Sequence, residues 1–235
     1  MTRPLALFDL DNTLIDRLAA FKRWAAGFAA ERRLGDDAVP WLVALDADGS
    51  LPMDAFFSRV RERFGLPEPA GELWLAYRAR FPLLVSCRGE VLDGLGRLRA
   101  AGWVVGIVTN GMADNQTGKL ERTGLAARVD GWAISEAEGV RKPDVRLFEI
   151  AARRCGAELG AGGWVVGDDP VKDIQGGRAA GLRTIWIDRG VTAGSAGEGS
   201  GVEAGGGSSA VAADHAVGDV LSAIELLIRS GSSSG

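Results

Sequence analysis

The stretch Phe8-Asp9-Leu10-Asp11-Asn12-Thr13-Leu14 decides the fold, because it closes the apolar run Leu5-Ala6-Leu7-Phe8 with two carboxylates two residues apart. The run reads as a buried strand, which puts the acids at its carboxyl end. In open α/β sheets that end faces a crevice where loops and helix N-termini converge, and ligands bind there. Two like charges held so close repel unless a cation or a shared proton relieves them. A site is therefore expected around Asp9 and Asp11.

Outward from this stretch the pattern of an apolar run ending in polar residues returns. A helix over 90–100, carrying Val91, Leu92, Leu95 and Leu98 and stopped by Gly102, leads into a strand over 103–108 that ends at Thr109-Asn110-Gly111. The hydroxyl and backbone N–H groups of such a turn can face an anion, although many strand-ending turns look alike. A helix over 114–123, ended by Gly124, precedes a short strand around 132–134. In Arg141-Lys142-Pro143-Asp144, Pro143 suits the first turn of a helix carrying Val145, Leu147, Phe148, Ile150 and Ala151, which places Lys142 just before a helix N-terminus. A cation there opposes the helix dipole unless an anion lies between them; the alternative is an ordinary surface lysine. The strand 164–167 then delivers Asp168 and Asp169, and Asp173 follows five residues after Asp168, where it equally suits an N-cap. A strand over 183–187, a brief one over 214–217 and a helix from Val220 complete the rhythm. The fold class expected is α/β, a doubly wound three-layer parallel sheet.

Between residues 16 and 82 the rhythm stops. Aromatic residues recur at helical spacing (Phe21, Trp24 and Phe28; Phe56, Phe57 and Val60; Trp74, Tyr77 and Phe81), broken at Gly35, Pro40, Gly49, Pro52, Pro67 and Pro69. This predicts an all-helical insert over 16–82 within a core formed by 1–15 and 83–229. The aromatic stripes are expected to form the insert's own core, and Arg59, Arg61 and Arg63 a solvated face. Residues 191–210, almost wholly small, predict a flexible loop, and 230–235 a loose tail.

The composition of the 235 residues, 46% apolar and 25% charged, is that of a globular protein. A net charge of -4 argues against a nucleic-acid surface, and the short apolar start running into acids is neither a leader nor a membrane span. Cys87 and Cys155 lack metal-type spacing and read as reduced thiols, pointing to the cytoplasm. The lone histidine, His215, reads as a surface residue beside the last strand, so chemistry must run on carboxylates, lysine and hydroxyls.

Taken in order, Asp9-x-Asp11-x-Thr13, Thr109, Lys142 within Arg-Lys-Pro-Asp, and Gly167-Asp168-x-x-x-x-Asp173 resemble the four motifs of the haloacid dehalogenase superfamily, in its phosphatase branch. The insert is similar to the helical cap of that superfamily's C1 type. The resemblance implies Asp9 as a nucleophile forming an aspartyl-phosphate, and Asp11 as general acid and then base. It implies Thr109, Asn110 and Lys142 as phosphoryl-binding groups, Lys142 also balancing the carboxylates. Mg²⁺ would be held by Asp9, Asp168 and the Asp11 carbonyl, with Asp169 and Asp173 supporting from behind. Dehalogenases of this fold lack an acid at the position of Asp11, since a halide leaves without a proton. Its presence points to a C–O–P bond, and a helical cap over the crevice, which would exclude macromolecules, to a small phosphorylated metabolite as substrate. A phosphomutase would use the same residues, and a non-catalytic binding protein would share the fold. A nucleotide-binding oxidoreductase is disfavoured, since no Gly-x-Gly-x-x-Gly follows any strand and Gly111 to Lys119 has the wrong spacing for a P-loop.

Overall fold

The structure, a computed structural model, describes residues 3–190 and 213–231; the expected loop over 191–210 lies outside them. Among the described residues six parallel strands form one sheet: β1 (Leu5–Phe8), β2 (Val104–Thr109), β3 (Gly131–Ile134), β4 (Trp164–Gly167), β5 (Arg183–Ile187) and β6 (His215–Val217). Their order is β3-β2-β1-β4-β5-β6. The chain thus winds outward from β1 through β2 to β3, returns to β4 on the other side, and winds outward again. β1 and β4 flank the point where the winding reverses, and the crevice opens over their carboxyl ends.

β1, β2 and β4 are buried along their whole length, as expected of parallel strands covered on both faces. Their side chains alternate between two cores. Ala6, Phe8, Val105 and Ile107 face α5 (Gly89–Ala100), where Leu95 and Leu98 meet Ile224 and Leu227 of the C-terminal helix. Leu5, Leu7, Val104 and Val165 face Leu147, Phe148 and Ala151 on the opposite side.

Before α5 come the insert helices α1 (Arg17–Glu31), α2 (Ala38–Asp46), α3 (Met53–Phe64) and α4 (Ala70–Arg80). After it come α6 (Ala113–Arg122), α7 (Ser135–Glu138), α8 (Val145–Arg154), α9 (Gly176–Ala179) and α10 (Val220–Gly231). The insert's aromatic residues pack on one another: Trp24 lies 4.9 Å from both Phe28 and Tyr77, and Phe56 lies 5.0 Å from Phe57, centroid to centroid. A buried ion pair ties α1 to α2. Both guanidinium nitrogens of Arg17 donate to Asp46 at 2.7 Å, and the guanidinium lies over the rings of Phe21 and Phe81. Arg59, Arg61 and Arg63 are exposed, Arg63 pairing with Asp37.

Three local expectations are corrected. The tail does not begin at Ser230, because α10 runs to Gly231, the Ser230 hydroxyl donating to the carbonyls of Leu226 and Leu227; the remainder of the expected tail lies outside the described residues. Pro143 is not in the first turn of α8: Asp144 is the N-cap, its carboxylate accepting from the Arg146 N–H, so the helix begins at Val145. Asp173 is not an N-cap either. Asp169 caps the wide helical turn over Pro170–Gln175 by accepting from the N–H groups of Val171 and Lys172. His215, half-buried on the edge strand, stacks on Trp164 at 5.5 Å. Both cysteines are free, and burial pushes their thiols up to about 11 for Cys87 and about 12 for Cys155. No helix among the described residues is long and apolar enough to cross a membrane.

Candidate active site

The site is assembled at the carboxyl ends of the central strands. Asp9 succeeds β1, with its N–H donating to the Val166 carbonyl of β4, and its side chain is buried. Lys142, from the loop before α8, reaches across. Its Nζ donates to Asp9 Oδ1 and to Asp173 Oδ1, each at 2.6 Å. The anions that justify a cation before this helix are therefore carboxylates of the site. Asp173 spends its other oxygen on the Asp169 N–H. Gly167 is required at the end of β4 because a Cβ there would collide with the Asp173 carboxylate.

Asp168 lies beside this cluster. One carboxylate oxygen each from Asp9, Asp168 and Asp173 fall within 4.8 Å of one another. Burial, and then the neighbouring Asp173, push the Asp168 carboxyl up to about 6 against the pull of Arg189. Burial likewise holds Asp9 well above the ordinary carboxylate range, with Lys142 opposing and Asp173 and Asp168 adding to the rise. Both carboxyls thus hold their protons more tightly than free ones, and a bound cation would relieve the burial and mutual repulsion that cause this. A hard dication bound by oxygen alone fits such a donor set.

Asp11 sits apart from this cluster. Its two oxygens accept from Lys119 Nζ at 2.9 and 2.8 Å, and Oδ2 also accepts from Gln116 Nε2 at 3.0 Å. Burial alone would raise its carboxyl, but the ammonium of Lys119 and the guanidinium of Arg17 hold it below the usual range. Thr109, the last residue of β2, accepts from Gln116 Nε2 at 2.7 Å. The Asn110 side chain is spent on the main chain of Lys142, donating to its carbonyl at 3.1 Å and accepting from its N–H at 2.9 Å. That side chain clamps the lysine's backbone, which leaves the backbone N–H of Asn110 as its group for a phosphoryl oxygen. Asp169 is committed to its cap and to Lys172, so its carboxylate serves the turn, not Lys142.

Four participants were missed in the sequence: Lys119, Gln116, Arg189 and Asp48. Arg189 Nη1 joins Asp48 Oδ2 at 2.7 Å to Asp168 Oδ2 at 3.0 Å, so an insert residue reaches the acidic cluster through one guanidinium. Asp48 also accepts from Asn12, whose positive φ of 62 turns the chain after Asp11. The one available signal was in α6, where Asn115, Gln116 and Lys119 recur at helical spacing on the same face as Leu120, a buried polar stripe. The cavity of about 870 Å³ over these groups is walled by insert residues including Leu51, Met53, Trp74 and Tyr77. Two of the aromatic residues expected to serve only the insert's core therefore also line the site.

A crevice at the switch point of a parallel sheet, with strand-end carboxylates held by a buried lysine under a helical insert, is the place where an α/β protein of this topology binds its ligand. The family profile described as haloacid dehalogenase-like hydrolase matches residues 4–181, and the chain belongs to that family, in its phosphatase branch. It is 36% identical over 182 residues to the phosphoserine phosphatase of Thermus thermophilus, covering 74% of this chain and 71% of that protein. It is 31% identical to the pyrimidine 5'-nucleotidase PynA of Streptococcus pneumoniae, covering 77% and 82%. YfnB of Bacillus subtilis, a HAD hydrolase whose structure is described as bound to magnesium, superposes with a TM-score of 0.71 at 20% identity, over 97% of this chain and 99% of that one.

Proposed function

We propose that the protein is a Mg²⁺-dependent phosphomonoesterase that hydrolyses a small phosphorylated metabolite through an aspartyl-phosphate on Asp9. The observation that carries the reading is the buried Asp9–Lys142–Asp173 arrangement beside Asp168, with Asp11 held separately. Asp9, Asp168 and the Asp11 carbonyl would hold the metal, which when bound supplies charge neutralisation for the approach of one anion to another. Lys142 holds one oxygen of Asp9 and leaves the other for phosphorus. Thr109 accepts its bond from Gln116, so its single proton is left for a phosphoryl oxygen, and Lys142 offers a further donor.

Asp9 displaces the alkoxide in line and Asp11 protonates it; arrival of the phosphate dianion raises the proton affinity of Asp11 by like charge. Asp11 then takes a proton from the water that cleaves the aspartyl-phosphate, returning Asp9 and releasing phosphate. Residues 16–82 act as the cap, presenting Trp74 and Tyr77 to the leaving group, and the two free thiols favour the reducing cytoplasm.

The test is release of inorganic phosphate from O-phosphoserine, pyrimidine 5'-nucleotides and an aryl phosphate, the first two taken from the names of the two relatives. Release is expected only with Mg²⁺, and Asp9→Asn should lower it by at least ~10⁴-fold. Phosphate release persisting in Asp9→Asn would reject the covalent route. Isomerised substrate without free phosphate would mark a mutase.

A further inference from the structure

We infer that Lys119 and Gln116, neighbours on one face of α6, are positioning residues that hold the Asp11 carboxyl against the leaving-group oxygen and aim the Thr109 hydroxyl at the phosphoryl group. The inference rests on Asp11 as acid and base of the proposed hydrolysis, and it adds the device that places it.

Both side chains are almost wholly buried, Lys119 at 3% and Gln116 at 1% exposure, and both end on groups of the site. A lysine buried for packing alone would carry an unpaired charge at a cost of several kcal/mol. Here the ammonium contacts both oxygens of Asp11 at 2.9 and 2.8 Å, which fixes the carboxyl's rotation as well as its place. Its other side faces the Phe81 ring at 5.2 Å, so the insert's aromatic cluster backs it. Gln116 Nε2 lies within hydrogen-bond distance of Asp11 Oδ2 and Thr109 Oγ1 at once, tying the group that serves the leaving oxygen to the group that serves phosphorus. The chain makes room for this amide: a Cβ on Gly111 would stand 2.8 Å from both Cγ and Cδ of Gln116. Four residues from two strand ends and one helix thus form a single hydrogen-bonded unit, separate from the carboxylates that face Lys142.

An acid that protonates a leaving group matters in proportion to how badly that group leaves. A glycerol alkoxide needs the proton; a dinitrophenolate does not. Loss of position at Asp11 should therefore appear as discrimination between leaving groups, which a general loosening of the fold would not produce.

The experiment uses the full-length Mg²⁺-loaded enzyme with glycerol 2-phosphate and 2,4-dinitrophenyl phosphate, comparing wild type, Lys119→Met, Gln116→Met and Asp11→Asn. Lys119→Met should slow the glycerol ester by ~100-fold, and the ratio of the dinitrophenolate burst rate to the glycerol ester rate should rise by at least ~30-fold. A burst of about one equivalent of dinitrophenolate should precede slow turnover, because the same carboxyl must activate water in the second step. Gln116→Met, which removes no charge and keeps the volume, should show the same discrimination at a smaller size and also raise the KM. Equal slowing of both esters, or no change in either variant, overturns the assignment. If Asp11→Asn itself fails to discriminate, the acid–base reading of Asp11 fails instead, and the two failures are told apart by that variant.

Discussion

Asp168 illustrates how burial and a like-charged neighbour prepare a carboxyl for a cation. Its folded-state carboxyl is pushed up to about 6 by burial and then by Asp173, against an ordinary value of 3.8. The folded protein therefore holds that proton more tightly than the unfolded chain, and stability present below pH ~4 is lost as pH rises towards ~6. Asp9 acts in the same sense, whereas Asp11 and Asp169, held low, lose their contribution only below the ordinary carboxylate range. The metal-free protein should thus lose on the order of 2 kcal/mol between pH 4 and 6, and Asp168→Asn should flatten that slope. Urea midpoints in EDTA across this range are the measurement; parallel curves for the two proteins would count against the assignment. At this scale the sequence was informative wherever a residue's role follows from its neighbours in the chain. Asp9, Thr109 and Asp168 each end an apolar run that announces a buried strand. Asp48 and Arg189 escaped notice because their pairing spans 141 positions, and nothing near either residue marks it.

Among elements, the strands were the most legible and the starts of helices the least. β1, β2 and β4 are uninterrupted apolar runs whose burial leaves no other reading. At α8, Pro143 and Asp144 competed for the same boundary, and the carboxylate won because it could satisfy the Arg146 N–H, which proline cannot. In α6 the helix was plain, but its buried polar face resembled a solvated one, since residue type alone does not say which way a polar stripe points. The link between α1 and α2 is open to a direct test. Asp46 is fully buried against Arg17, so Asp46→Ala would strand a guanidinium among Phe21, Phe81 and Tyr77. A loss of about 3–5 kcal/mol in urea unfolding is expected, recovered in large part by the pair Arg17→Met with Asp46→Leu. A cost under ~1 kcal/mol for Asp46→Ala would mean that the pair does not join the helices.

For the whole molecule, the site exists only when distant parts of the chain meet: Lys142 and Asp9 are 133 positions apart and Lys142 and Asp173 are 31. The unfolded chain has no such cluster, so whatever binds it stabilises the fold by mass action. Mg²⁺ at ~100 times its dissociation constant should add about 2.7 kcal/mol, visible as a raised melting temperature that Asp168→Asn abolishes. Equal shifts in both proteins would place the metal elsewhere. The position of β1 also has a meaning for biosynthesis. It precedes the other described strands in the chain, yet it lies in the middle of the sheet, pairing with Val104 at Leu5 and with Trp164 at Ala6. At ~5–20 residues per second, its first partner is translated roughly 5–20 s after it. Until then the nucleophile's strand is an unpaired apolar segment on a nascent chain, in the keeping of the ribosome and whatever chaperones attend it.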